Sequence, residues 1–219
     1  IYLIIVILIY VGCSSGYKKW EPPDRLSVFG LFLDNGTMQV PAAGVVPYEI
    51  NTPLFSDYSE KYRFIKLPEG QTGTYNENLT FDLPVGTVLA KTFAYPHDFR
   101  DPSKGRRLLE TRLLVHRPNG WIGLPYVWND EQNEAMLEIS GDWVNTEWIH
   151  SDGQKISIRY MVPNMNQCKQ CHDQNDQLKP IGIRARQLNR EYNYLHGSEN
   201  QLNFWSRQGM VKGVPDATQ

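Results

Sequence analysis

Residues 87–95 read TVLAKTFAY, a run of β-branched and aromatic residues that follows the turn residues Pro84 and Gly86. This composition predicts a largely buried strand. Further segments of similar character, separated by Gly, Pro and Asn turns, cover 108–116, 121–128 and 155–162. Short strands with such turns between them predict a mainly β domain over residues 46–162, built as an antiparallel sandwich or barrel.

Alternation within these segments predicts which side chains share a face, because successive side chains of a strand point to opposite sides. In the segment 108–116 the shared face would comprise Leu109, Thr111, Leu113 and Val115. In the last strand it would comprise Ile156, Ile158, Tyr160 and Val162. Both patterns are typical of strands that bury one face.

The character of the chain changes after Pro163. Residues 183–194 and 198–208 predict two helices, the second capped by Ser198, with Gln201 as its reciprocal capping partner. We therefore expect a small helical segment over residues 163–219. Asn51-Thr52-Pro53 and Ser56-Asp57 are interpreted as turns rather than as a polar site, since these residue types favour turns.

Length and net charge limit the classes of protein to which the chain can belong. The chain has 219 residues, enough for one large domain or for a domain with a small subdomain. Lys and Arg number 22 against 24 Asp and Glu, so the net charge is −2. This balance argues against a nucleic-acid partner, because dedicated nucleic-acid binders carry an excess of basic residues. Three cysteines do not make a disulfide scaffold.

The N-terminal residues predict export from the cytoplasm. Residues 1–11, IYLIIVILIYV, have the length and apolarity of a signal-peptide core, and Gly12 precedes Cys13. We interpret residues 1–12 as a lipoprotein-like signal, Cys13 as a lipidated residue that anchors the protein to a membrane, and residues 13–45 as linker and irregular chain. This predicts a periplasmic or cell-envelope protein in a bacterium. A plain secretory signal is the main alternative, and a structural strand is another.

The residues that indicate chemistry are Cys168-Lys169-Gln170-Cys171-His172. C-x-x-C-H is the attachment signature of c-type haem. Two thiols at this spacing add to the two vinyl groups of one porphyrin, and the adjacent His172 binds the iron as proximal ligand. A thioredoxin-like redox pair and a zinc site are the alternatives. The first would need a βαβ context and the second a further pair of ligands.

The second axial ligand of the iron stays open at this stage. Met210 follows the second expected helix, so the chain is able to return it over the ring, and thioether ligation is usual in electron carriers. Further candidates are His97, His116, His150 and His196. A Met that simply fills the core and an open distal face are the alternatives.

Arginines supply candidate partners for the haem propionates, because guanidinium groups bind carboxylates well. Arg184 and Arg186 lie just past the motif and are preferred by proximity; a solvated helix face is the alternative. Three charged residues on strand faces, Glu110, Arg112 and Arg159, are expected either to pair across the sheet or to approach the propionates.

Several segments of the chain resemble a bacterial family of exported diheme c-type cytochromes, some of which are lipoproteins. The resemblance covers roughly residues 45–215. It rests on 49–63 (EINTPLFSDYSEKYR), 83–93 (LPVGTVLAKTF), 110–115 (ETRLLV), 120–128 (GWIGLPYVW), 162–172 (VPNMNQCKQCH) and 180–189 (PIGIRARQLN). It implies a β-rich domain, a first C-x-x-C-H and then a second haem domain. This chain has one such motif and ends about where the second domain would begin.

Three functions follow as hypotheses. The first is single-electron transfer between redox proteins through one covalent haem c, without catalysis of its own. The second is a haem enzyme: the order of elements is also similar to the lysine-crosslinked c-haem family that oxidises hydroxylamine, and that resemblance implies Lys91 as the crosslinking residue. A sheet-edge lysine is the simpler interpretation of Lys91. The third is a haem sensor whose β domain binds a small molecule.

Overall fold

A computed structural model describes residues 20–167, 172–174 and 177–215. The chain is mainly β, as expected, and its centre is a six-stranded antiparallel sheet. In spatial order the strands are β1 (Val45–Pro47), β2 (Glu60–Lys66), β4 (Val88–Pro96), β5 (Arg106–Arg117), β6 (Gly120–Trp128) and β7 (Ala135–Leu137). The two outermost strands, β1 and β7, are not paired with each other, so the described sheet is open and the expected barrel is not seen.

Smaller elements surround this sheet. β3 (Gly73–Thr74) pairs in parallel with β14 (Val211–Lys212). The antiparallel pairs are β8 (Asp142–Ile149) with β9 (Lys155–Val162), β10 (Asp173–Gln174) with β11 (Gln177–Leu178), and β12 (Glu191–Tyr194) with β13 (Gly197–Asn200). The helices whose bounds fall within the described residues are α1 (Ala185–Leu188), α2 (Gln201–Arg207) and three 3-10 turns at Leu26–Phe29, Asp34–Gly36 and Pro102–Lys104.

One face of the sheet is covered by the segment that precedes β1. Leu26 and Leu31 are buried there against Ala90, Leu113 and Tyr126. The region expected to be a linker therefore contributes to the core from residue 26 onward. Burial of these apolar side chains is the main stabilising contribution on this side of the sheet.

The opposite face is covered by two separate units. Leu89 packs in one apolar cluster with residues 183–212, which we call the C-terminal unit and which include Leu188 and Trp205. Phe93 packs in a second cluster with the β8–β9 hairpin, through Trp148, Tyr160 and Val162 among other residues. Lys91 is on the same face as Leu89 and Phe93 and lies between them in sequence, so it occupies the boundary between the two clusters.

A β-bulge changes the expected face pattern of β5. Glu110 pairs with Phe93, but Leu108 pairs with Ala94, so Leu109 is the additional residue. Leu109 packs with Phe93 in the hairpin cluster, whereas Leu113 packs on the other face of the sheet. The expectation that Leu109, Thr111, Leu113 and Val115 share one face is therefore wrong for Leu109. The alternation expected in β9 is confirmed.

The C-terminal unit contains less helix than its sequence predicts. Residues 183–194 give only the four-residue α1 followed by β12, and Asn200 rather than Ser198 caps α2. Ser198 lies in β13, because the Tyr-rich segment before it forms a hairpin instead of continuing a helix. No helix in the described part of the chain has the length and apolarity needed to cross a membrane.

Gln201 connects the C-terminal unit to the β1–β2 connection through hydrogen bonds. Its side chain is fully buried, and Oε1 accepts a hydrogen bond from the Glu49 N–H at 2.7 Å while Nε2 donates to the Glu49 carbonyl at 2.9 Å. Nε2 also donates to the carbonyl of Leu188, the last residue of α1, at 3.1 Å. One amide thus satisfies three backbone groups of the β1–β2 connection and α1.

We predict that Gln201→Leu lowers the free energy of unfolding by about 2–4 kcal/mol, because it leaves buried backbone groups without partners. Urea unfolding followed by tryptophan fluorescence measures this difference. Gln208→Leu, at the exposed end of α2, is the matched control and should change stability by less than about 0.5 kcal/mol. Equal effects of the two substitutions would contradict the anchoring role of Gln201.

Candidate functional site

Of the C-x-x-C-H motif, the structure describes the histidine. Cys168 and Cys171 lie outside the described residues, as do Cys13 and the expected signal at residues 1–12. His172 is described, and its side chain is partly buried. The candidate site comprises His172 and the charged side chains of the sheet whose charges influence it.

His172 is held by the short hairpin that follows it. Its Nδ1 lies 3.0 Å from the carbonyl oxygen of Lys179, and its own carbonyl accepts a hydrogen bond from the Lys179 N–H at 2.8 Å. A carbonyl oxygen only accepts hydrogen bonds, so this contact assigns the proton of a neutral imidazole to Nδ1. Nε2 then keeps its lone pair, which is the form that binds a metal ion.

Three positive charges lie side by side across the middle of the sheet. Arg63 on β2 pairs directly with Lys91 on β4, and Lys91 pairs directly with Arg112 on β5. Side chains at directly paired positions have Cβ atoms about 4.5–5.5 Å apart, and like charges there destabilise a sheet. We call these three residues the cation row.

Carboxylates neutralise the two ends of the cation row. Arg63 Nη1 donates to Glu49 Oε2 at 2.7 Å. Arg112 donates to Glu110 through Nε at 2.8 Å and Nη2 at 2.6 Å, a bidentate pair in which Glu110 is fully buried. The Tyr160 hydroxyl donates to the same carboxylate at 2.6 Å, which orients Glu110 further.

Lys91, in the middle, has no carboxylate partner among the described residues. Its Nζ lies 4.7 Å from the ring centroid of Phe93, and the Arg112 guanidinium lies 4.4 Å from the same centroid. Burial, together with the charges of Arg63 and Arg112, lowers the pKa of Lys91 from 10.5 to about 7. β4 is a central strand, so the interpretation of Lys91 as a sheet-edge lysine is wrong.

The positive charges of the cation row influence His172. The pKa of His172 is lowered, chiefly by burial and additionally by the charges of Lys91 and Arg112. The hydrogen bond to the Lys179 carbonyl acts in the opposite direction and favours the protonated imidazole. The net effect favours the neutral imidazole, the form that keeps a lone pair on Nε2.

The other candidates from the sequence lie elsewhere or have other contacts. Arg184 Nε lies 3.5 Å from Thr80 Oγ1, and the Arg186 side chain is exposed. Met210 is buried in the apolar cluster that contains Trp205, a placement that favours core packing. The roles of Arg184 and Arg186 at the propionates and of Met210 at the iron stay predictions.

The four remaining histidines each have a local environment of their own. His116 Nδ1 lies 2.8 Å from the Leu83 carbonyl, and its ring stacks on Trp121. His196 lies 3.0 Å from Glu199 and stacks on Phe204. The ring of His150 contacts Tyr58 and Phe99 edge-on, and His97 is exposed.

Sequence reasoning missed Arg63 and interpreted Arg112 incompletely. Arg112 pairs with Glu110 on its own strand rather than across the sheet, and the Arg159 guanidinium lies over Trp143. The available signal was a cation within each of three strand segments, at Arg63, Lys91 and Arg112. Recognising the row required the register of the three strands, which the sequence alone does not specify.

Comparison of the chain with models of known families, with curated proteins and with solved structures finds no match. Within residues 20–167, 172–174 and 177–215, no three His, Cys, Asp or Glu side chains group together as metal ligands would.

We predict that the polypeptide without cofactor becomes more stable as pH rises from 7 to 9.5. Because the folded pKa of Lys91 is about 7 and the unfolded value is 10.5, the unfolded chain binds the additional proton in this window. The slope contributed is at most about 1.4 kcal/mol per pH unit. Chemical denaturation at several pH values should show this slope in the native chain and lose it in Lys91→Met.

Lys91→Met should also be more stable than the native chain at pH 7, because it removes the repulsion and the desolvation of one charge. Lys155→Met is the matched control, since Lys155 forms an exposed ion pair with Glu147. Its effect should stay below about 1 kcal/mol at every pH. A destabilised Lys91→Met variant would show that the ammonium group supports the fold rather than opposing it.

Proposed function

We propose that this protein is an exported c-type cytochrome that transfers single electrons. Cys168 and Cys171 bind one haem covalently through thioether bonds, and His172 is the proximal ligand of its iron. The C-x-x-C-H spacing supports the attachment, and the His172 contacts support the ligation.

The observation that carries the proposal is the hydrogen bond of His172 to the Lys179 carbonyl at 3.0 Å. A histidine that ligates a metal through one ring nitrogen usually donates from the other to a carboxylate or a backbone carbonyl. This bond fixes the ring orientation and the tautomer. The lowered pKa of His172 keeps Nε2 available for the iron at neutral pH.

The cation row supports the binding of the haem propionates. A haem carries two propionates, and Arg63 Nη2 is buried without a hydrogen-bond partner among the described residues. When bound, the haem supplies a reversible one-electron couple at its iron. The chain's own residues orient the proximal ligand, exclude water through the two apolar clusters and balance charge through the cation row.

The cellular setting belongs to the same proposal. Covalent haem attachment of this type occurs outside the cytoplasm, and residues 1–12 with Cys13 have the pattern of a lipoprotein signal. We place the protein in the bacterial periplasm or cell envelope, anchored by lipid on Cys13. Its partners would be redox proteins that exchange electrons with the exposed haem edge.

Expression with a c-type maturation system should yield a chain whose intact mass exceeds that of the polypeptide by one haem. A pyridine haemochrome spectrum should report thioether-linked haem. The double variant Cys168→Ala/Cys171→Ala should lose both signals, and His172→Ala should retain the mass while changing the ligation spectrum. A native chain with apoprotein mass and two free thiols would refute the proposal.

Lys91 supports a second candidate function, a c-haem enzyme that oxidises a small nitrogen compound such as hydroxylamine. With a pKa of about 7, much of the Lys91 amine is neutral at physiological pH, and a neutral amine is a nucleophile. The charge of Lys91 also influences His172, which supports a position of the amine near the proposed ligand of the iron. A lysine that crosslinks to haem would need such a position.

The absorption spectrum of the ferrous protein separates the two functions. An electron carrier should show an ordinary low-spin c-type α band that is the same in Lys91→Arg. A crosslinked enzyme should show a red-shifted ferrous band that reverts in Lys91→Arg, because a guanidinium does not form the bond. Hydroxylamine oxidation that persists in Lys91→Arg would rule out the crosslink as its basis.

A further inference from the structure

Two hydrogen-bond donors of the cation row have no acceptor among the described residues. They are Arg63 Nη2, a buried atom on a side chain that is 4% exposed, and Lys91 Nζ, which belongs to a partly buried side chain and lies 4.7 Å from the ring centroid of Phe93. A buried donor without a partner costs about 1–3 kcal/mol, and more when it is charged. The pairing of like charges on adjacent strands adds to this cost.

An anion at the centre of the row would remove both costs. Arg63 and Arg112 already bind Glu49 and Glu110, so among the described residues three cations of the row are matched by two bound carboxylates. Lys61, one row further along the same face of β2, adds another positive charge, and its Nζ donates to the Ser59 carbonyl. The positive excess is therefore concentrated around Lys91.

We propose that the cation row is a carboxylate-binding site in which Lys91 Nζ and Arg63 Nη2 are the donors. The carboxylate is either a propionate of the haem, in which case the inference rests on the proposed function, or a small free carboxylate. Arg112 and Glu110 position the site, because their bidentate pair fixes a guanidinium over Phe93 beside Lys91.

The chemistry of the donors favours a carboxylate over water or a neutral group. Water would accept the hydrogen bonds but would leave the excess charge of the row in place. A carboxylate brings one negative charge and up to four acceptor positions, enough for an ammonium and a guanidinium N–H together. The side chain of Arg186, preferred earlier on proximity, is exposed, whereas that of Arg63 is buried.

The test begins with the haem count of the native protein, which decides the proposed function independently. On holoprotein, resonance Raman spectra report hydrogen bonding of the propionates through their bending mode, and spectroelectrochemistry gives the midpoint potential. Lys91→Met and Arg63→Lys should shift the propionate mode. Lys91→Met should also lower the midpoint potential, because loss of a nearby positive charge favours the oxidised iron. Lys91→Arg should preserve both properties, and Lys155→Met should change neither.

A second arm detects a free carboxylate. Calorimetric titration with acetate should show no saturable binding to native holoprotein if the propionate occupies the row. If the row takes a free carboxylate instead, acetate should bind the native protein with one site, and its affinity should fall about tenfold or more in Lys91→Met. Acetate binding that is equal in the native chain and Lys91→Met would show an adventitious interaction and would count against the site.

The outcomes separate the two proposals. Without covalent haem the proposed function fails, and acetate titration of the same chain then decides the carboxylate site. With haem present, an unchanged propionate mode in Lys91→Met together with absent acetate binding would overturn the carboxylate site alone. A red-shifted ferrous band that is lost in Lys91→Arg would also overturn it, because a crosslinked amine is no longer an ammonium donor.

Discussion

The direct register of Arg63, Lys91 and Arg112 on three adjacent strands is the constraint on which the candidate site depends. These side chains are in direct register on three adjacent strands, on a face that is otherwise covered by apolar clusters. Register in such a sheet is set by apolar alternation, and a shift of one residue would move every side chain to the other face. The alternation that builds the core therefore also brings the three cations together.

Each of the two units that cover this face stabilises one end of the row. The β8–β9 hairpin supplies Tyr160, whose hydroxyl orients Glu110 against Arg112. The C-terminal unit supplies Gln201, whose amide holds the backbone of Glu49, the partner of Arg63. Packing of the covering layers and neutralisation of the end charges are thus coupled, and Lys91 is left between them without a carboxylate from either described unit.

The sequence predicted the strands well because β-branched and aromatic runs with Gly and Pro turns have few other solutions. It predicted the C-terminal helices poorly, since Tyr192 and Tyr194 pack as a hairpin against the core, a tertiary effect that outweighs local pattern. It also missed the bulge at Leu109, which depends on pairing with β4. The core role of residues 26–42 was missed because irregular chain gives no periodic signal.

The candidate site, like the fold, could be predicted from the sequence only in part. C-x-x-C-H is a local motif, so His172 was identified directly from adjacent residues. Arg63 is 109 positions before His172, and its place in the site depends on the order β1-β2-β4-β5-β6-β7 and on strand register. Proximity in sequence favoured Arg184 and Arg186 as carboxylate partners, whereas proximity in space favours residues on central strands. Sequence therefore predicts the chemistry at the motif and not the charges that surround it.

The protonation state of Lys91 distinguishes the two functions considered for this protein. A carboxylate beside Lys91 would favour the ammonium form, whose lone pair is bound to a proton and whose charge balances an anion. Without an anion, burial and the flanking arginines favour the neutral amine, with a pKa of about 7, and only that form is a nucleophile. Lys91 is thus unable to donate a hydrogen bond to a carboxylate as an ammonium and to form a crosslink at the same time. The anion that reaches the centre of the row decides between them, because the described residues around Lys91 supply positive charges and an aromatic face but no carboxylate bonded to its ammonium.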